Sequence, residues 1–435
     1  MDATLLARLQ FAITVGFHFI FPPLTIGLSW FIVWFLAKHK KTADEIDKKT
    51  AHFWTRIFTV TFVIGVVTGV PLEFQFGTNW AQFSQFVGDV FGAPLAAEVI
   101  FTFFVESIFI AVLVYGWNKV STKTLLISSI MVAVSSTLSA FWILAANSWM
   151  QTPAGYELTQ GKVLMTNFWD VIFNPSTLPR FLHTLDASLM TGAFFMLGIS
   201  ALLLIMSRHK QIAEKSLKFS VIVAFISSII QLGLGHYHSI QVAHTQPEKL
   251  AAIEGVFETQ QMAPAIVFGI PNEDKEQIEA EVKIPGLLSL LAFGDLDAEV
   301  KGLKEFPRDE WPPLALTFYP FHLMVGMGLY LIFLGALGLL LLWRKRLIEN
   351  KLFMKLAVIS IPIPFIANEL GWITAEVGRQ PWAVYHILKT RDAISISVPA
   401  GHILFSIITF GLIYILLFAL WIYLIRREII SEIKN

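Results

Sequence analysis

The chain contains no cysteine. That absence excludes disulfides, thiolate-bound zinc, iron–sulfur clusters and covalently attached haem, and leaves any metal to His, Met or carboxylate ligands. Charge is scarce as well: Asp, Glu, Lys and Arg make up 15% of 435 residues against 55% hydrophobic residues, and mean hydropathy is +0.65. A soluble globular chain does not have this profile, and a multi-span membrane protein does. The 32 basic and 32 acidic residues cancel, so bulk charge offers no attraction to nucleic acid, which is not expected as a partner. The N-terminus lacks the charged n-region, apolar core and small-residue cleavage site of a signal peptide, so the first apolar segment is expected to be retained. No internal repeat and no low-complexity segment is visible.

Apolar runs of roughly 20 residues, the length that crosses a bilayer, occur at about 11–37, 57–76, 93–117, 125–147, 183–206, 219–235, 315–343, 356–373 and 400–425. The expected fold is all-α and polytopic, with about nine transmembrane helices, because only helices satisfy every backbone group over such lengths. With the N-terminus outside and the C-terminus cytoplasmic, the inner connections hold 20 Lys and Arg in 60 residues and the outer ones 12 in 165. The positive-inside rule favours that orientation. On these boundaries every basic residue falls in a connection and none inside a span.

The chain divides into helices 1–6 (1–235), a long outer connection (236–314) and helices 7–9 (315–435). That connection holds a stretch from Pro247 to Glu258 that reads as a short helix, with Pro at its start and Glu early. An acidic run follows at Glu273, Asp274, Glu276, Glu279 and Glu281. A connection this long without structure is uncommon, so it is functional or partly disordered.

The orientation turns positions into depths. His18, His183, Met324, Glu98 and Glu376 all fall in the outer half, with Glu106 one to two turns deeper than Glu98. A single membrane histidine is often only an interhelical hydrogen-bond partner, the reading given to His402, and a lone Met is usually packing. Two glutamates on one apolar helix are harder to dismiss, because a buried carboxylate is costly. Haem iron suits His, Met and Glu without Cys: a His/Met pair gives a low-spin electron carrier, and one axial ligand leaves a position for oxygen. Spacing alone does not establish it.

Several motifs in the same order resemble subunit I of the cytochrome bd quinol oxidases. They are Gly16-Phe17-His18-Phe19-Ile20-Phe21-Pro22-Pro23, Phe91-Gly92-Ala93-Pro94-Leu95 with Glu98, Phe104-Val105-Glu106-Ser107, Ser139 to Asn147, Arg180-Phe181-Leu182-His183-Thr184, Lys249 to Glu254, and Glu376-Val377-Gly378-Arg379-Gln380-Pro381-Trp382. The resemblance covers essentially the whole chain, and the last motif is the most specific. It implies a respiratory oxidase in a bacterial or archaeal-type cell membrane, oxidising quinol outside and reducing dioxygen to water without pumping protons.

The same resemblance implies a low-spin haem b on His183 and Met324, and a di-haem site of a high-spin haem b and a haem d, or a b haem in its place. His18 and Glu376 would be ligands there, with Arg379 and Trp372 beside them. Glu98, Glu106 and Ser139 would deliver protons, and Lys249 and Glu254 would serve quinol oxidation. A second membrane subunit is implied, and small single-helix accessory subunits are a further option. One departure stands out: His322 occupies the position where the family usually has Arg, two residues before Met324, so it could change the low-spin haem's potential, propionate contacts or axial ligand. His236, His238 and His244 are further histidines of the long connection.

Three rivals remain. A b-haem electron-transfer subunit would not need His18 and Glu376 as an extra pair. A proton or cation transporter predicts inverted repeats. A haem–copper oxidase needs clustered histidines that the spans lack.

Overall fold

The computed structural model describes residues 2–431. Among them, nine helical segments are long and apolar enough to cross a membrane, and each overlaps one of the predicted spans. The chain is a multi-span, mostly helical membrane protein. Its longer elements are α1 (Ala3–Phe19), α2 (Phe21–Thr42), α3 (Glu45–Thr78), α4 (Ala81–Ala97), α5 (Phe104–Tyr115) and α6 (Thr122–Gln151). After the hairpin β1–β2 (Tyr156–Thr159, Lys162–Met165) and the short α7 (Phe168–Ile172) come α8 (Thr177–Ile205), α9 (Lys210–Thr245) and α10 (Pro247–Glu254). The hairpin β3–β4 (Ala265–Asn272, Gln277–Ile284), α11 (Leu287–Phe293), α12 (Leu314–Trp343), α13 (Lys351–Ile359) and α14 (Ile363–Val377) follow. The small hairpin β5–β6 (Trp382–Val384, Leu388–Lys389), α15 (Thr390–Ala393) and α16 (Ala400–Ile430) complete the chain.

Local chemistry sets the element ends. Asp2, Asp44 and Ser121 cap α1, α3 and α6 by accepting from backbone N–H groups of Thr4, Ile46 and Thr124, which satisfies orphan donors of the first turn. Pro22 and Pro23 open α2, where a missing N–H costs nothing. They leave His18 in the last turn of α1.

Helices overrun the predicted spans. The helix predicted at 219–235 continues to Thr245, so the long connection begins at 246, and His236, His238 and His244 sit on α9 rather than in a loop. Arg180 belongs to α8 and is buried, which corrects the expectation that every basic residue lies in a connection. The long connection is ordered. Its short helix ends at Glu254 rather than Glu258, because Gly255 takes a left-handed φ of 69°. Part of its acidic run forms β4, paired antiparallel with β3.

The core is helix against helix. Phe21, Leu24, Leu28, Phe35, Trp54, Phe58, Phe194 and Phe353 belong to one buried cluster joining α2, α3, α8 and α13. At the α2–α8 crossing, a Cβ on Gly27 would meet the Ser188 carbonyl oxygen at 2.4 Å and the Gly192 Cα at 2.9 Å. Only small residues allow backbones this close, the usual packing device inside membranes.

Candidate functional site

Residues distant in sequence converge at one end of the bundle around Glu376, in the last turn of α14. Its Oε1 accepts from Asn147 Nδ2 at 3.1 Å and Gln151 Nε2 at 3.3 Å, both on α6, and lies 3.6 Å from Arg180 on α8. Its Oε2 accepts from Arg379, whose other terminal nitrogen donates to the Trp382 and Ala383 carbonyls. Arg379 therefore holds both the carboxylate and the turn that follows, where Gln380-Pro381 is cis. Two arginines and two amides match a buried carboxylate's need for pairing, which its burial alone would oppose.

His18 donates or accepts through Nδ1 with Thr68 Oγ1 at 3.0 Å. The Thr68 hydroxyl spends its own proton on the Gly65 carbonyl at 3.0 Å. In that arrangement Thr68 accepts from Nδ1–H of His18, which leaves Nε2 unprotonated. That is the tautomer of a metal-ligating histidine, with the other nitrogen oriented by a second group.

His183 on α8 faces α9, with Gln231 Nε2 at 3.2 Å from its Nε2, the His238 ring 5.7 Å away, and a buried Nδ1 without a partner. Met324 on α12 faces α14, where a Cβ on Gly371 would meet its sulfur at 2.8 Å. A side chain at 371 would thus displace the Met324 thioether, and Trp372 follows directly on the same helix. This donor set, with its orphaned histidine nitrogen and available His18 Nε2, fits haem iron. Among the described residues no group of three or more His, Asp or Glu could hold a bare metal ion.

Glu98 and Glu106 stand on the seam between the α4–α5 helix and α6. Glu98 opens a short π-helical segment, Glu98–Phe103, and accepts from Ser139 Oγ at 2.7 Å; Glu106 is buried and accepts from Ser136. The serines are one turn apart, so the two carboxylates have matching hydroxyl partners along one helix face. A π-turn of this kind commonly re-aims side chains at functional sites.

The α10 helix is buried on every side. Lys249 Nζ donates to Gln151 and to Gln246 Oε1, and its stem lies 3.1 Å from where a Gly378 Cβ would stand. Gln151 therefore links Lys249 to Glu376. Burial and the nearby Arg180 hold the Lys249 ammonium well below its ordinary range. Glu254, at the other end of α10, is raised to about 7 by burial alone. The two share no hydrogen-bond partner among the described residues.

His322 and His402 are placed differently. The His322 Nδ1 faces the Phe318 carbonyl at 2.8 Å and its Nε2 the Ile266 carbonyl at 2.7 Å, and the ring stacks on Phe318 at 3.9 Å. With both nitrogens on backbone oxygens, His322 fastens α12 to β3. His402 is exposed at the start of α16.

Arg180, Asn147 and Gln151, which hold Glu376, have no predicted role. Neither has Glu369, seven residues before Glu376 on the same face of α14. One Glu369 oxygen is buried without a partner, and the other is 3.2 Å from where a Gly16 Cβ would stand, two residues from His18. A carboxylate in the apolar run 356–373 was the available signal.

A helical membrane protein with nine membrane-length helices among the described residues and a half-buried His, Met and Glu donor set is the class that fold and site define. The model of the cytochrome bd terminal oxidase subunit I family matches residues 6–433. The chain belongs to that family, whose members are haem proteins. It is 39% identical to the cytochrome bd ubiquinol oxidase subunit 1 of Bacillus subtilis strain 168, over 99% of this chain and 94% of that one. It is 33% identical to the cytochrome bd-II ubiquinol oxidase subunit 1 of Escherichia coli K12, over 98% and 96%. The structure of the bd oxidase from Geobacillus thermodenitrificans superposes with a TM-score of 0.92 at 34% identity, covering 98% of each chain.

Proposed function

We propose that this chain is the catalytic subunit of a terminal respiratory oxidase, oxidising quinol at the Glu376 end of the bundle and reducing dioxygen to water in its interior. Bound haem would relay electrons and reduce oxygen there. The chain's own residues do the rest. His183 and Met324 would hold a low-spin haem b. His18, through Nε2, and Glu376 would hold a high-spin haem b and a haem d, or a b haem in its place. Arg180 and Arg379 pair with Glu376 and fix it in place, and Trp372, one turn earlier on α14, would line the haem site.

Protons used for water formation pass Glu106 and Glu98, each held by a serine hydroxyl. Protons from quinol leave through the groups around α10, where Glu254 titrates near neutrality and can serve as a base. The positive-inside rule puts that end outside. Releasing protons outside and drawing them from inside separates charge without a pump. A second membrane subunit would complete the complex, with small accessory subunits an option.

The observation that carries this reading is the placement of His18, held through Nδ1 by Thr68 with Nε2 left for a ligand, inside a member of an oxidase family. Haem extraction and an optical spectrum of the purified complex test it. Low-spin and high-spin haem signals are expected; a single low-spin b haem would leave an electron-transfer subunit, and no haem would overturn the proposal.

A further inference from the structure

We propose that Glu248 and His386 form the proton-release route of the quinol site, with Tyr385 holding Glu248 in place. The inference rests on the reading of α10 as the quinol-oxidising element and adds residues to it.

Glu248 immediately precedes Lys249 in the first turn of α10 and is 3% exposed. Its Oε1 accepts from the Tyr385 hydroxyl at 2.6 Å and lies 3.1 Å from Nε2 of His386, both in the turn between β5 and β6. Its Oε2 is buried with no partner. An unsatisfied buried carboxylate oxygen is costly and calls for a donor. A quinol hydroxyl is a donor of the right chemistry, and Lys249 is the next residue of α10.

The two hairpin residues differ in what they can do with a proton. Burial and Glu248 hold the Tyr385 phenol well above its ordinary range, so it stays a fixed donor to Oε1. His386 is stacked on Tyr385 at 4.0 Å and its side chain is 55% exposed, while that of Glu248 is 4% exposed. The pair therefore joins a buried acceptor to water through one imidazole, whose two ring nitrogens can take up a proton on one side and release one on the other.

The proton count closes. Quinol oxidation releases two electrons, passed on to dioxygen, and two protons. Glu254 takes one of the two protons and the Glu248 carboxylate the other. Glu248 hands its proton to the unprotonated Nε2 of His386, which releases its Nδ1 proton to water, and proton exchange with water at the exposed ring restores the Nδ1–H form before the next turnover.

The test uses the purified complex and a short-chain quinol. His386→Ala is expected to lower quinol-driven oxygen uptake about ten-fold, the low end of general acid–base effects, with the quinol KM little changed, and millimolar imidazole should restore it. His386→Gln keeps a hydrogen-bonding group beside Glu248 but cannot relay a proton, and should be as slow as His386→Ala. Full turnover in His386→Gln, or a loss that imidazole does not relieve, overturns the proposal. Glu254→Ala separates the two levels: if it is slow with quinol while both His386 variants are normal, only the release route fails. If Glu254→Ala is normal with quinol, the α10 reading fails with it.

Discussion

Arg180 and Glu376 meet 3.6 Å apart inside the bundle, and Asn147 bonds to both, donating to the carboxylate and accepting from the guanidinium. Removing Arg180 leaves Glu376 paired with Arg379 but strips a charged hydrogen-bond donor from Asn147 and a cation from the carboxylate, which costs about 1.5–3 kcal/mol. Arg180→Met should lower thermal stability by that order and reduce the haem-to-protein ratio. Arg180→Lys should recover only part of it, because a point charge cannot reach Asn147 and Glu376 together as a planar fork does. Melting curves with haem quantitation check this; a wild-type ratio in Arg180→Met would separate Arg180 from haem retention.

His183→Ala should abolish the low-spin b signal in a reduced-minus-oxidised spectrum while a high-spin signal persists. The physical reason is local: His183 packs on α9 through Gln231, whereas His18 and Glu376 are held by Thr68 and the arginines. The two ligand groups have separate supports. An unchanged difference spectrum would remove His183 from the ligand set.

The nine spans were legible because apolar length is a strong signal, and the carboxylates Glu98, Glu106 and Glu376 because an ionisable group in an apolar run is conspicuous. Helix ends were not, since α9 carries polar His236, His238 and His244 past the expected boundary. The β4 strand was hidden by its charge: Ile278, Ala280, Val282 and Ile284 alternate with Gln277, Glu279, Glu281 and Lys283, a period of two that an acidic run masks. Arg180, Asn147 and Gln151 were unreadable as a group. Asn147 and Arg180 close and open two of the quoted motifs without a partner visible in either, and all three gain their role only where α6, α8 and α14 converge.

Glu254 makes a pH prediction with a definite sign. Burial raises its carboxyl from 4.5 to about 7. The folded chain then keeps a proton that the unfolded chain has lost, so this group's contribution to stability is present below about pH 4.5 and falls as pH rises to about 7. For turnover the direction reverses, since only the ionised form can accept a quinol proton. Quinol-driven uptake should climb as pH passes about 7, and Glu254→Gln should abolish that limb while flattening the stability loss. A pH–rate profile unchanged in Glu254→Gln would rule out this group as the base.

Glu106 should act on the other half of the reaction. Because it sits with Ser136 on the seam of α5 and α6, away from α10, its loss should slow oxygen reduction whichever donor supplies the electrons. Glu106→Gln keeps the size and a hydrogen-bonding group but cannot carry a proton, and the expected drop is about 10²-fold with quinol and with an artificial donor alike. Ser136→Ala removes one hydrogen bond, worth about 1 kcal/mol, and should cost only several-fold. Glu254→Ala, by contrast, should be slow with quinol and near normal with the artificial donor. Oxygen-uptake rates for both donors across the three variants decide the matter: a Glu106→Gln defect confined to quinol would place Glu106 on the quinol side and break the assignment of the α5–α6 seam to oxygen's protons.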